Sequence, residues 1–194
     1  IEADEPHIMN GVFNGYTTGA PIHIQFYNTN TRSRDYAQFI NTPRPGHADF
    51  VAHQKYNGFE DPRGGGHFSG RITLGIVAAG VVAKKILGET KVNAELVEVA
   101  GSKEIEKVIE EIADSGDSVG GIVECRVINA PVGLGEPFFD STEAMISHMV
   151  FAIPATKGIE FGSGFDAAKM KGSEHNDCFI DKDGTTKTNH AGGI

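Results

Sequence analysis

Arg44-Pro45-Gly46-His47-Ala48-Asp49 places a guanidinium, an imidazole and a carboxylate within six positions, on a backbone constrained by proline and glycine. An arginine can clamp an oxyanion, and a neighbouring histidine, which titrates near neutrality, can deliver a proton to it. A capped turn with a surface histidine accounts for the same spacing equally well. A second segment, Arg63-Gly64-Gly65-Gly66-His67-Phe68-Ser69-Gly70-Arg71, runs straight into an apolar stretch that begins at Ile72. Consecutive glycines let a ligand approach the backbone, and the free amides of a helix N-terminus favour anions such as phosphate. The segment has no Gly-Lys-Ser/Thr and does not reproduce GxGxxG after a strand, so neither a P-loop nor a dinucleotide fingerprint is expected.

Other chemistries have weaker anchors. His47, Asp49 and His53 contain the HxD spacing of some hydrolytic metal sites. Arg44 would oppose a cation there, and His7, His23, His148, His175 and His190 are scattered, so no metal is expected. His23 belongs to a solvated hairpin face and His148 to a helix surface or a satisfied core position. Glu104, Glu106, Glu110 and Glu111 interleave with apolar positions and read as a solvated helix face rather than a catalytic pair. No Gly-x-Ser-x-Gly is present to anchor acyl chemistry. Cys125 and Cys178 lie far apart without CxxC spacing, and each falls in an expected strand, where burial is commoner than reactivity.

Several elements must position these groups. Residues 8–13 and 22–27 flank a Gly, Thr and Pro cluster, and Ile22, Ile24 and Phe26 alternate with polar neighbours, the period of a hairpin with one wet face. Residues 28–70 read as a long polar connection carrying Arg32, Arg34, Arg44 and Arg63, and long loops often carry function. The helix from Ile72 is apolar on almost every side, which suits an element covered on both faces. A strand over 91–100, a helix with a stripe of Ile105, Val108, Ile109 and Ile112 and Ser102 as N-cap, and a strand over 120–128 come after it. A turn over 131–137 and a helix over 141–152 come next. Short strands over 159–161 and 167–170 and a hairpin at 178–180, turning at Asp183-Gly184, complete the order. The elements do not alternate strictly as βαβα, so an α+β sandwich is preferred to a doubly wound sheet.

Length and pattern favour one domain over residues 1–194, without a linker or repeat. A net charge of −9 and a pI near 5.3 leave no protein-wide attraction for nucleic acid, so an anionic ligand requires local positive charge. The acidic opening over 1–7 is unlike a signal peptide, and the apolar stretch over 72–87 is too short and too interrupted to span a bilayer. A reducing cytoplasm is the expected compartment.

Taken in order, the motifs resemble chorismate synthase. Asn10-Gly11-Val12-Phe13-Asn14-Gly15-Tyr16-Thr17-Thr18-Gly19 is similar to that family's early hairpin, Arg44 to Asp49 carries its RPGHAD motif, and Gln54-Lys55-Tyr56 is similar to the residues that the family has just after RPGHAD. Arg63 to Arg71 resembles its glycine-rich flavin segment, although His-Phe-Ser-Gly-Arg-Ile stands where many members have an Arg-Ala-Ser-Ala-Arg-Glu type of run. Gly116-Asp117-Ser118-Val119-Gly120-Gly121, Gly133-Leu134-Gly135-Glu136-Pro137, Lys157-Gly158-Ile159-Glu160-Phe161-Gly162 and Asn189-His190-Ala191-Gly192-Gly193-Ile194 complete the series.

The resemblance implies an α+β sandwich with helices packed between antiparallel sheets, assembled as a homotetramer. It implies a lyase that converts 5-enolpyruvylshikimate 3-phosphate to chorismate and phosphate by 1,4-elimination with reduced FMN, with NAD(P)H a candidate reductant. By position, His47 is the catalytic proton donor, Arg44 and Arg71 hold the anionic substrate, and His67, Phe68, Ser69, Pro154 and Ala155 contact FMN. A further histidine and an arginine-rich segment are expected before Ile1, and an arginine and an aspartate after Ile194, so the 194-residue chain by itself is expected to be inactive. A flavin- or phosphate-binding remnant is the alternative without catalysis.

Overall fold

The computed structural model describes residues 3–30, 32–61, 63 and 67–194. The chain divides into two compact units, Ile1–Ala130 and Pro131–Ile194.

In the first unit, β1 (His7–Asn10) and β4 (His23–Gln25) pair antiparallel, with Ile8 opposite Ile24 and a register irregularity between Ile8 and Asn10. Between them β2 (Val12–Phe13) and β3 (Tyr16–Thr17) form a smaller hairpin. Its turn residues Asn14 and Gly15 have φ of 50° and 81°, the left-handed pair that matches strand twist in a two-residue hairpin. The expected long connection is more ordered than its composition implies. It contains a 3-10 stretch, Ser33–Ile40, and α1 (Asp49–Lys55), whose Ala52 is only 3% exposed.

A 3-10 turn, Gly70–Ile72, leads into α2 (Thr73–Ile86). The Ser69 hydroxyl accepts from the Arg71 amide at 3.3 Å, and Thr73 Oγ1 donates to the Gly70 carbonyl, which fixes how the helix starts. The expectation that α2 is covered on both faces is not met by this chain's own elements. None of its residues is buried, and Val77 is 64% exposed. All-round apolarity reports that a helix can be buried, not which segments cover it.

β5 (Lys91–Val99) and β6 (Gly121–Ile128) form the longest ladder, antiparallel from Lys91 opposite Ile128 to Val99 opposite Gly121. Between them, α3 (Ile105–Ser115) packs on β5. Gly116, at φ 70°, ends α3 in the left-handed conformation that lets its amide and that of Asp117 reach the last carbonyls. The N-cap expected at Ser102 is displaced. Glu104 holds that position, and the Ser102 hydroxyl accepts from the Glu104 amide at 3.1 Å in the turn before the helix. Val99, 4% exposed, is the other buried apolar residue among those described.

In the second unit, α4 (Thr142–Val150) is capped by the Ser141 hydroxyl, which accepts from the Ala144 amide at 3.3 Å. Two expected strands are corrected. Residues 159–161 are irregular, and 167–170 belong mostly to a 3-10 stretch, Gly164–Lys169, because the 162–164 turn, with two glycines at positive φ, coils the chain. After α5 (Gly172–His175), the expected hairpin is reduced to a bridge between Phe179 and Thr186, with Gly184 at φ 90° in its turn. Both cysteines are exposed, contrary to expectation, since neither lies on a covered strand face. The α+β class with antiparallel sheets holds throughout the described residues. No helix among them is long and apolar enough to cross a membrane.

Candidate functional site

Gly46 turns the chain at φ 68°, so that Arg44, His47 and Asp49 converge at the N-terminus of α1. The Asp49 carboxylate is the hub. Its Oδ2 accepts from the Arg44 amide at 3.1 Å and Arg44 Nε at 2.8 Å, and its Oδ1 accepts from Arg44 Nη2 at 2.8 Å. His47 Nδ1 lies 2.7 Å from Asp49 Oδ1 and 3.2 Å from Arg44 Nη2. Three donors from Arg44 take up most of the accepting capacity of that carboxylate, and the His47 ring stands against its Oδ1. The side chains are 24% exposed for Arg44, 21% for His47 and 18% for Asp49, shielded but reachable.

The 3-10 stretch supplies a floor for this cluster. The Arg44 guanidinium lies 4.9 Å from the Phe39 ring centroid and 5.4 Å from that of Tyr36, where the ring faces attract a cation. The Arg44 side chain hydrogen-bonded to Asp49 holds the carboxyl well below the usual carboxylate range, against partial burial, which pushes the other way. The same bond raises the guanidinium further above its ordinary value, so both partners are charged throughout the accessible range.

The second predicted cluster is partly described, since Gly64, Gly65 and Gly66 lie outside the described residues. The His67 and Phe68 ring centroids are 3.9 Å apart, and Tyr56 lies 6.0 Å from His67 and 6.4 Å from Phe68, stacked on the latter. These rings form one aromatic pile beside Ser69. Arg71 Nη2 contacts Asp4 Oδ1 at 2.6 Å, so this arginine is charge-compensated in the first unit. His53, the third member of the weighed metal triplet, turns its Nδ1 to Glu60 Oε1 at 2.8 Å, while Asp49 is committed to Arg44 and His47.

Pro154 and Ala155 belong to the second unit, just after α4. Ala155 sits at φ 66°, a conformation that costs a residue with a Cβ about 1 kcal/mol and is found where function or a turn imposes it.

Sequence reasoning missed two organising carboxylates. Asp49 was visible only as part of a motif, with the local signal that it stands two residues after His47. Asp177 had no signal. It accepts from Thr188 Oγ1 at 2.7 Å and from the amides of His190 at 2.8 Å and Ala191 at 2.9 Å, and these amides, Ala191 first, lower its pKa. Ser163 completes that knot, with its hydroxyl 3.1 Å from His190 Nδ1 and its amide donating to the His190 carbonyl at 2.7 Å. Two motifs distant in sequence are thereby tied together.

The family model described as chorismate synthase matches residues 1–194. A curated chorismate synthase from Chitinophaga pinensis is 64% identical over 194 residues, covering 100% of this chain and 58% of that protein. One from Pyrococcus abyssi is 46% identical, over 100% of this chain and 62% of its own length. A solved structure, "Crystal Structure of Chorismate Synthase", superposes with a TM-score of 0.77 at 26% identity, over 97% of this chain and 65% of that one. The chain thus spans 58% and 62% of the lengths of these two curated relatives.

Proposed function

From the premise that this chain belongs to the chorismate synthase family, we propose that the protein carrying it converts 5-enolpyruvylshikimate 3-phosphate to chorismate and inorganic phosphate. In that 1,4-elimination the C–O bond to phosphate breaks, a ring hydrogen leaves, and a new C=C forms without net redox change. The observation that carries the reading is the Arg44–His47–Asp49 constellation, because a departing phosphate needs a fixed cation and a proton source side by side.

In this reading His47 donates a proton to the leaving phosphate oxygen. Arg44 already commits Nε to Asp49 and Nη2 to Asp49 and His47, so it meets the substrate through Nη1, held in direction by the carboxylate behind it. Arg71 supports the anionic substrate from the start of α2. The residues present fit reduced FMN in the chemistry of their surfaces. The Tyr56, His67 and Phe68 pile offers π faces to a flat heteroaromatic ring, and Ser69 offers a hydroxyl. Pro154 and Ala155 are assigned to FMN by the family resemblance alone. When bound, the reduced flavin supplies electron density to the cleavage, with NAD(P)H as its reductant.

A homotetramer in the cytoplasm, with residues 1–194 forming part of one chorismate synthase domain, is the assembly we propose with it. The single domain is supported by the family match over residues 1–194, and the tetramer and compartment by the resemblance alone.

The test is anaerobic turnover of 5-enolpyruvylshikimate 3-phosphate with reduced FMN by the full-length protein, monitored by phosphate release. His47→Ala should lower turnover at least about a hundredfold while FMN affinity changes little. A folded full-length protein without turnover would refute the lyase reading and favour a binding remnant.

A further inference from the structure

We propose that Tyr36 and Phe39 are positioning residues for the anionic substrate, fixing the tilt of the Arg44 guanidinium so that its free edge, Nη1, meets the ligand. The inference rests on the proposed role of Arg44 in holding that substrate. Nε of Arg44 donates to Asp49 Oδ2 at 2.8 Å, and Nη2 donates to Asp49 Oδ1 at 2.8 Å and to His47 Nδ1 at 3.2 Å. Nη1 has no partner among the described residues, so its two hydrogens are the pair left for an anion. The two bonds to Asp49 grip one edge of a planar group and, like a hinge, leave it free to tilt about that edge. Tilting carries the cation off the ring faces beside it, and their attraction resists the motion. Cζ of Arg44 lies over both rings, 4.9 Å from the Phe39 centroid and 5.4 Å from that of Tyr36, inside the range of a cation–π contact.

The local fold presents this pair of rings together. Ser33–Ile40 runs as eight residues of 3-10 helix, whereas such runs seldom exceed three or four. With three residues per turn, positions i and i+3 stand one above the other, so Tyr36 and Phe39 share a face. The 3.6-residue period of an α-helix would splay them by about 60°. Their ring centroids are 6.4 Å apart, and both residues are half-buried while the other described side chains of the stretch are exposed. Ile40, which is also apolar, is left 65% exposed. Hydrophobicity alone therefore does not select the covered face; the two aromatic residues that the helical period aligns are the ones that meet Arg44.

The test replaces Phe39 in the full-length protein by mono-, di- and trifluorophenylalanine, which keep the shape of the ring while draining its negative face. Fluorine makes a ring more apolar, so a merely structural contact is not weakened by the series. KM for 5-enolpyruvylshikimate 3-phosphate should rise step by step with fluorine number, to about fivefold in the trifluoro protein, while kcat changes less than about twofold. The calorimetric Kd for inorganic phosphate should follow the same order without any turnover. Phe39→Leu, which removes the ring face altogether, should raise KM at least as far. KM and Kd that stay flat across the fluorinated series would overturn the proposal even if the Leu variant does not fold. So would a kcat that falls while KM is constant. If the wild type shows no turnover, the lyase reading fails, and the phosphate series still decides for or against Phe39.

Discussion

Gly162→Ala would set a methyl group against the backbone of the 190–192 turn. The new Cβ would overlap the His190 carbonyl oxygen and meet the Gly192 nitrogen at 2.5 Å and the Ala191 carbonyl carbon at 2.6 Å. All three are main-chain atoms, which cannot swing aside as a flexible side chain could. Gly162 also has φ 57°, where a residue with a Cβ costs about 1–2 kcal/mol. Relieving the overlap means parting the two segments, which breaks the 2.7 Å bond from the Ser163 amide to the His190 carbonyl, about 1 kcal/mol more. The sum is roughly 3 kcal/mol once some loss of packing is included. Gly158→Ala is the control, since nothing lies within 4 Å of its Cβ position and its φ is not in the left-handed region. In urea unfolding of the full-length protein, with a slope of about 2 kcal/mol/M, Gly162→Ala should lower the midpoint by about 1.5 M and Gly158→Ala by less than about 0.3 M. Equal midpoints for the two variants would refute the claim that the 162 and 190–192 segments touch through their backbones.

The same logic applies to β6. A Cβ on Gly121 would meet the Glu98 carbonyl at 2.7 Å and Leu96 Cδ1 at 3.1 Å, whereas Gly120 has open space, so Gly121→Ala should cost about 1–2 kcal/mol more than Gly120→Ala in the same titration. Arg44→Lys keeps the charge but not the fork that grips Asp49, and should destabilise by about 2 kcal/mol by calorimetry; an unchanged midpoint would show that the fork is not needed. Asp49 has a folded pKa depressed below its ordinary 3.8, so its stabilisation is present above that value and disappears as pH falls toward the folded pKa. Acid unfolding of Asp49→Asn should accordingly differ most from wild type above about pH 4 and converge with it at lower pH; a constant gap would contradict the coupling.

Much of this was legible in the sequence where interactions are local. The helix expected over 141–152 and the apolar stripe of α3 arise from residues within a few positions of each other, and the structure has both helices, as α4 and α3. RPGHAD is equally short. Its proline and glycine bring Arg44 and His47 together within a single turn of chain, which is why the oxyanion-clamp reading could be made from spacing. Its Asp49 could not be assigned a role in the same way, because a carboxylate can cap a helix, pair with a cation or ligate a metal, and only coordinates show which donors it faces. The short strands expected at 159–161 and 167–170 failed because a three- or four-residue apolar pattern is too weak to compete with glycine turns.

By itself, then, the sequence determined the helices α3 and α4, the two long strands β5 and β6 and the family to which the motifs belong. Tertiary structure alone decided that Asp49 commits its carboxylate to Arg44 and His47, that Asp177 gathers Thr188, His190 and Ala191, and that Gly162 has no room for a methyl group. Those outcomes depend on distances between groups that chain connectivity does not set. Backbone propensity acts over a few residues, whereas a carboxylate chooses among donors by where the fold leaves them.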